Sequence, residues 1–273
     1  MSRPQETTRY RAEPGRMARW VILGVAGVLF VVPILSMLEF SLRSGQSGAH
    51  GLEHYSAIFG GSAGTYAVLF QGILNSLVIC LITVLIVLLL LLPTMILVEI
   101  AFPRLRGVLE FICIIPITIP SIVLVVGFIP VYSVVARIFG SNPWTLAFAV
   151  GIIVLPYAFR PIAANLAGVE VVTLSEAGRS LGASWAQVLW RVILPNLRTG
   201  IVSACFITVA VVLGEYTIAS FLSQNTFQTA LVLVQHTDPY VAVIFAVFAL
   251  ALAFVLLLVI GRLGSLGRNR RSR

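Results

Sequence analysis

The chain has 273 residues, 59% of them apolar and only 10% charged, with a formal net charge of +8 and a mean hydropathy of +1.03. Soluble domains carry about 25% charged residues, so this composition excludes a soluble globular protein and predicts an all-α integral membrane protein. The basic excess calls for no nucleic acid, because the distribution of arginines along the chain accounts for it.

A helix crossing a hydrocarbon core of about 30 Å needs about 20 mostly apolar residues. Six segments meet that need: 20–42, 70–98, 108–137, 145–163, 199–222 and 240–262. All basic residues are arginine. With the N-terminus placed in the cytoplasm, 16 of the 18 fall inside and only Arg43 and Arg137 fall outside. This asymmetry predicts a multi-pass protein with both termini inside. The inner arginines would also meet anionic lipid headgroups.

In chain order, residues 1–19 form a polar inner tail and 20–69 a first, uncleaved helix with an external loop. That loop, rich in Gly, Ser and His, has room for a short surface helix through "LEHYSAIF". His50, Glu53 and His54 form an H-x-x-E-H spacing, but with no further ligand nearby they are read as solvated surface, with no metal. The second helix returns to a tight inner turn, "AFPRLRG". The third carries Pro116, Pro120 and Pro130, each removing a backbone donor and favouring a kink. Broken backbone survives in a membrane only beside protein or water, so this span is expected to face the bundle interior or simply to shape its packing. "GSNP" makes an outer turn, and the fourth helix leads into the longest inner loop, 164–198. Two further spans complete a transmembrane domain over 70–262, and residues 263–273 form an inner tail. Cys80, Cys113 and Cys205 lie singly in apolar runs and act as small hydrophobes.

The loop contains "EAGRSLGASWAQVLWRVILP", residues 176–195. Thr173 precedes Glu176 by three residues and Ser184 precedes Gln187 by three, both capping-box spacings. These predict helices starting near 174 and 185, punctuated by Gly182. In the second, Trp185, Val188, Leu189, Val192 and Ile193 share a face, and Pro195 suits the start of the next span. The segment reads either as an interfacial amphipathic helix anchored by Trp185 and Trp190 or as a docking element for a partner.

This loop resembles that of permease subunits of binding-protein-dependent ABC importers, which carry Glu-Ala-Ala, three residues, Gly, nine residues and Ile-x-Leu-Pro. Here the same spacing holds Glu176, Ala177, Gly178, then Gly182, then Val192, Ile193, Leu194 and Pro195. The departures are Gly178 for alanine and Val192 for isoleucine. Asn75-Ser76 and "LGEY" at 213–216 extend the likeness over about 70–262, nearest to the subgroup serving polyamines, ferric iron, phosphonates or thiamine. The resemblance implies a type I importer permease in a bacterial cytoplasmic membrane. Its expected partners are two ATP-binding subunits, a second permease that is identical or different, and an external solute-binding protein. The loop would form a coupling helix seated in an ATP-binding subunit, with Glu176 meeting a basic group there.

The resemblance also implies that ATP and magnesium bind to that partner. A P-loop requires G-x-x-x-x-G-K-[ST], and a chain without lysine cannot contain one, so no catalysis is expected in this subunit. Within the membrane, Glu215 falls about 25 Å along the fifth span from Arg198. Ala204, Thr208, Val211, Glu215 and Ala219 form a small or polar stripe, which faces either the pathway or a neighbouring helix. Tyr216, Asn75, Thr83, Asn165 and Tyr157 are further polar candidates. An ion-gradient transporter or channel, which would show paired acids or an inverted repeat, and a structural scaffold are the rival functions.

Overall fold

The computed structural model describes residues 15–44, 49–59 and 66–269. Arg3, Arg9 and Arg11 of the predicted N-terminal tail and Arg270, Arg271 and Arg273 of the C-terminal one lie outside the described residues.

Apart from the two-residue strands β1 (Arg43–Ser44) and β2 (Ala49–His50), paired antiparallel, the described architecture is helical. Among the described residues, five helices are long and apolar enough to cross a membrane, Arg16–Ser41, Ala67–Ala101, Ser121–Phe139, Pro143–Ala167 and Trp185–Leu213, with a shorter apolar helix at Pro239–Val255. Helix α1 (Arg16–Ser41) starts inside the predicted tail and buries only Ser41. It lies along α13 (Pro239–Asn269), and the rings of Phe40, Tyr240 and His54 stack at its end, at 4.9 and 4.6 Å. The predicted surface helix is α2 (Glu53–Phe59).

The second span is α3 (Ala67–Ile86), a π-helical turn at Val87–Leu91, and α4 (Leu92–Ala101). A second π turn, Leu189–Ile193, joins α9 (Trp185–Val188) to α10 (Leu194–Leu213). Both have the same cause. The Leu92 N–H reaches back five residues to the Val87 carbonyl and the Leu194 N–H to that of Leu189, and the next residue in each case is proline, Pro93 or Pro195. A proline in an α-helix has no N–H to give and its ring strikes the carbonyl four residues back; the wider turn removes that clash. Pro195 therefore does not begin a new helix, as the sequence suggested, but sits in a rod running unbroken from Trp185 to Leu213.

The third predicted span is two helices, α5 (Arg106–Thr118) and α6 (Ser121–Phe139), separated at Ile119–Pro120. Pro116 and Pro130 stay inside helices; only Pro120 breaks the chain, with Ile119 extended before it as proline demands. The expectation that this span faces the interior holds for one side of α5, where Cys113 and Pro116 are buried, but not for α6, which buries only Leu124, Val125 and Tyr132 while Ile119, Ile122 and Val123 point outward. Where α6 does meet the rest, the buried Tyr132 hydroxyl lies 2.8 Å from that of Thr145.

The centre of the bundle is α7 (Leu146–Ala167) against α10, the most extensive helix pair, with α3 alongside. Close approach is permitted by Gly200, where a Cβ would lie 2.7 Å from the Asn165 Cβ and 2.8 Å from the Pro161 carbonyl oxygen. A second core joins α2, the start of α3, α12 (Phe227–Gln235) and α13 through Ile58, Leu69, Phe227, Val241 and Ile244. Asp238 caps α13 by accepting from the Tyr240 and Val241 N–H groups and accepts the Tyr66 hydroxyl at 3.0 Å. Burial, then that carboxylate, push the Tyr66 phenol above its usual pKa.

Candidate functional site

Two places concentrate the candidate residues: the helical hairpin between α7 and α10, and the far end of α10.

In the hairpin, α8 (Val171–Ser180) starts before Thr173, with Glu170 at its cap position and no side-chain cap. The predicted Thr173–Glu176 capping box is thus absent. Val171 is buried and α8 packs against α4, so tertiary packing extends the helix past the local cap signal. The Ser184–Gln187 box is present: the Gln187 N–H donates to Ser184 Oγ and the Ser184 N–H to Gln187 Oε1, at 3.3 and 2.8 Å. Between the helices the backbone closes a Schellman motif. The Gly182 N–H donates to the Arg179 carbonyl and the Ala183 N–H to that of Gly178, and Gly182 takes φ +82°, a conformation that favours glycine. Gly178 serves the hairpin itself, since a Cβ there would lie 3.0 Å from Val188 Cγ2.

Of the predicted apolar face, Val188 and Ile193 are buried, Leu189 and Val192 half-buried, and Trp185 is 51% exposed beneath the Arg179 guanidinium, 5.0 Å from its ring. Leu194 is half-buried and Pro195 exposed. Glu176 and Ala177 are exposed, at the same end of the bundle as the α4–α5 turn, which Arg106 and Glu99 clasp at 3.1 Å.

At the other end, α10 stops at Leu213, short of the predicted 222, and α11 (Thr217–Phe221) follows. The stripe from Ala204 through Glu215 to Ala219 is therefore broken after Val211. Glu215 Oε1 accepts the Ile218 N–H at 2.7 Å, so the carboxylate closes the open first turn of α11. Tyr216 beside it is 41% exposed. Asn75 Nδ2 donates to the Asn225 carbonyl at 2.8 Å, and Ser76 Oγ accepts the Phe227 N–H at 2.9 Å. This pair ties the segment before α12 to α3. Thr208 is buried, and its Oγ1, like Asn165 Oδ1 and Thr83 Oγ1, has no hydrogen-bond partner among the described residues.

Of the pathway candidates, Asn75 on α3 and Glu215 thus have different hydrogen-bond partners, the Asn225 carbonyl and the Ile218 N–H at the start of α11. Ser76→Ala leaves the buried Phe227 N–H unmatched and is expected to cost about 1–3 kcal/mol, read as a lower thermal midpoint of the detergent-solubilised protein.

A 270 Å³ cavity between α10, α12 and α13 is walled by Phe206, Ile207, Ala210, Phe227 and Leu252, with Gln228 as its polar side chain. Among the described residues, no three His, Cys, Asp or Glu side chains gather as a metal site. His50 pairs instead with Glu39 at 3.2 Å. Cys80 and Cys113 are buried free thiols.

Sequence reasoning missed Gly72 and Gly200 as close-approach points. At Gly72 a Cβ would lie 2.6 Å from the Thr226 carbonyl oxygen. Glycine inside an otherwise helical apolar pattern was the available signal.

Residues 100–265 match the family described as "Binding-protein-dependent transport system inner membrane component". The chain is 29% identical over 113 residues to the phosphate transport system permease protein PstC of Pasteurella multocida (strain Pm70), covering 40% of this chain and 34% of that protein. To the chloroplastic sulfate permease 2 of Chlamydomonas reinhardtii it is 34% identical over 80 residues, 29% of this chain and 21% of that one. To the spermidine/putrescine transport system permease protein PotC of Haemophilus influenzae (strain ATCC 51907 / DSM 11121 / KW20 / Rd) it is 30% identical over 109 residues, 40% and 41% of the two chains. The chain spans less than half the length of each of these curated relatives.

Proposed function

Because the chain belongs to the family of binding-protein-dependent transport system inner membrane components, we propose that it is the permease subunit of an ATP-driven importer. In this reading it forms part of the solute pathway and couples it to a separate ATP-binding subunit through residues 176–195. The observation that carries the coupling role is the α8–α9 hairpin. Its inner side is buried in the bundle, Glu176 and Ala177 are exposed, and α9 runs without a break into the central rod. A push on such an element is transmitted to the bundle rather than absorbed by a flexible joint. The arginine asymmetry supports placing the hairpin and both termini in the cytoplasm.

A second permease subunit is supported by the outward-facing break at Ile119–Pro120. Backbone freed from a helix inside a membrane needs protein or a water-filled cavity beside it, and the described residues leave that face uncovered. ATP and magnesium would sit on the ATP-binding subunits, two per complex, and an external binding protein would deliver the cargo.

The cargo we propose is a small polar solute, of the polyamine, phosphonate, iron or thiamine kind. The named relatives serve phosphate, sulfate and spermidine or putrescine, so solutes of both charge signs occur around this chain. Glu215, whose carboxylate caps α11, is accordingly a poor selector of charge. Glu215→Gln keeps the accepting Oε1 and is expected to hold uptake within about threefold of the parent, whereas Glu215→Ala loses a cap worth about 0.5–2 kcal/mol. Uptake by proteoliposomes and thermal midpoints check both.

The defining experiment reconstitutes the chain with its second permease, ATP-binding subunits and binding protein, and offers spermidine, a phosphonate, ferric iron and thiamine in turn, beside phosphate and sulfate. Accumulation that requires ATP and this chain supports the importer. Accumulation driven by an ion gradient without ATP-binding subunits would establish a secondary transporter instead.

A further inference from the structure

The cavity between α10, α12 and α13, 270 Å³ in volume, lies on the side of α10 turned away from α7. The α10 residues buried in the bundle, Gly200, Ala204, Thr208 and Val212, recur every four residues, whereas Phe206 and Ala210, which line the cavity, fall about half a turn from Thr208. Ala210 and Gly214 on α10 and Leu252 and Ala253 on α13 line it and are exposed, so it opens at the surface of the chain. There it is continuous with the apolar outside of α13, where Leu250, Phe254 and Val255 are exposed, the kind of surface that a membrane-spanning helix turns to lipid.

The walls decide what can enter. An apolar cavity of about 150 Å³ stays dry and takes up a molecule the size of benzene, so one of 270 Å³ has room for a longer apolar segment. A small polar solute would leave its hydration behind and meet one polar side chain, Gln228. Gln228 is half-buried, and among the described residues its amide has no hydrogen-bond partner. It also stands at one end of the cavity. Ser76 Oγ accepts the Phe227 N–H at 2.9 Å, and one turn deeper on α3 the Cys80 thiol meets the Val209 carbonyl at 3.9 Å. Because α10 runs opposite to α3, the first turn of α12 is level with the end of α10 at Leu213. That residue is about 22 Å along the rod from Arg198, against a hydrocarbon core of about 30 Å. The polar end of the cavity therefore faces the bilayer surface away from the hairpin, and Phe206 and Ala253 line its deeper, apolar end. A phospholipid has this same polarity, an ester at the surface and hydrocarbon below it.

We propose that the cavity is a binding site for one acyl tail of a phospholipid from the leaflet opposite the hairpin, with the Gln228 amide donating to the ester carbonyl and the tail lying between Phe206, Ala210 and Leu252. Hydrophobic transfer contributes little, because the tail comes from lipid. The gain is the dispersion contact that the lining would otherwise lack, together with the hydrogen bond to Gln228. Such a site requires only a membrane-spanning chain, so it stands apart from the importer reading.

The test places the permease, with the subunits that copurify, in nanodiscs doped with phosphatidylethanolamine that carries a diazirine on one acyl tail, either beside the ester or near the methyl end. Photo-adducts are mapped by peptide mass spectrometry. The ester-end probe is expected to mark Leu213, Gly214 and Gln228 and the methyl-end probe Phe206 and Ala253, each severalfold above the adduct density on α1, which buries only Ser41 and serves as the reference for unbound lipid. Ala210→Phe fills the recess and is expected to remove the cavity adducts while those on α1 stay. Ala210→Leu repeats the measurement with a smaller side chain if the thermal midpoint shows that the phenylalanine variant folds poorly. Gln228→Leu is expected to lower the ester-end adducts about threefold, the scale of a hydrogen bond in a bilayer. Cavity adducts no denser than those on α1, or unchanged by both Ala210 variants, would overturn the site and leave only the ordinary lipid surround. Cavity walls left unlabelled in the complex would overturn it in favour of a contact with the second permease. Either failure leaves the importer reading intact.

Discussion

Gly200→Val is expected to lower the thermal midpoint of the detergent-solubilised protein by about 2–12 °C and to reduce the folded fraction recovered from membranes. Any β-carbon at this position would come within 2.7 Å of the Asn165 Cβ and 2.8 Å of the Pro161 carbonyl oxygen. The oxygen belongs to the backbone of α7 and has no rotamer to escape into, so the helices must separate. Overpacking a core costs about 1–3 kcal/mol, and at this size of protein about 2–4 °C is lost per kcal/mol. The damage falls on the most extensive helix pair in the bundle. Gly107→Ala is the matched control. It lies in α5 with nothing within 4 Å of where its methyl group would stand, and should be neutral or stabilise by up to about 1 kcal/mol through loss of unfolded-chain freedom.

Gly182→Val is expected to abolish ATP-driven uptake while leaving the bundle folded. Space is not the obstacle, since no atom lies within 4 Å of where its Cβ would be; the obstacle is φ +82°. A left-handed residue costs about 1–2 kcal/mol for an ordinary side chain and is most disfavoured when β-branched. The turn would relax to negative φ, break the bonds to the Arg179 and Gly178 carbonyls, and carry Leu181 away from its position. Gly182→Asn, which tolerates this conformation, should recover a substantial part of the activity. Coupled uptake and ATP hydrolysis by the reconstituted complex, measured beside the thermal midpoint of the permease, separate this local effect from unfolding. Equal uptake by the valine variant would rule out a role for the turn.

Much of this was legible from residues alone. Long apolar runs announced the spans because lipid leaves a backbone no other way to satisfy its polar groups, and Ser184, Gln187 and Gly182 marked the hairpin through local chemistry that the structure repeats. Elsewhere the deciding force was either invisible to hydropathy or came from a distant part of the chain. Gly214 and the Glu215 carboxylate end one helix and start another inside a run that is apolar on average, so the fifth span reads too long. Pro120 divides the third span while Pro116 and Pro130 stay within helices, so proline alone did not mark the break. The Thr173 cap lost to the burial of Val171. The two π turns each lie just before a proline, but Pro33, Pro116, Pro130, Pro156 and Pro161 sit inside α-helices without one, so the prolines by themselves did not mark them.

The unbroken rod from Trp185 to Leu213 comes close to the backbone of α7 at Gly200, a point near its middle. At about 1.5 Å per residue, that leaves arms of about 22 Å toward the hairpin and about 20 Å toward Glu215. Pivoting there, the rod would convert a small swing at one face of the bilayer into an almost equal and opposite swing at the other. A see-saw of this proportion opens one mouth as it shuts its opposite, with no gearing in between.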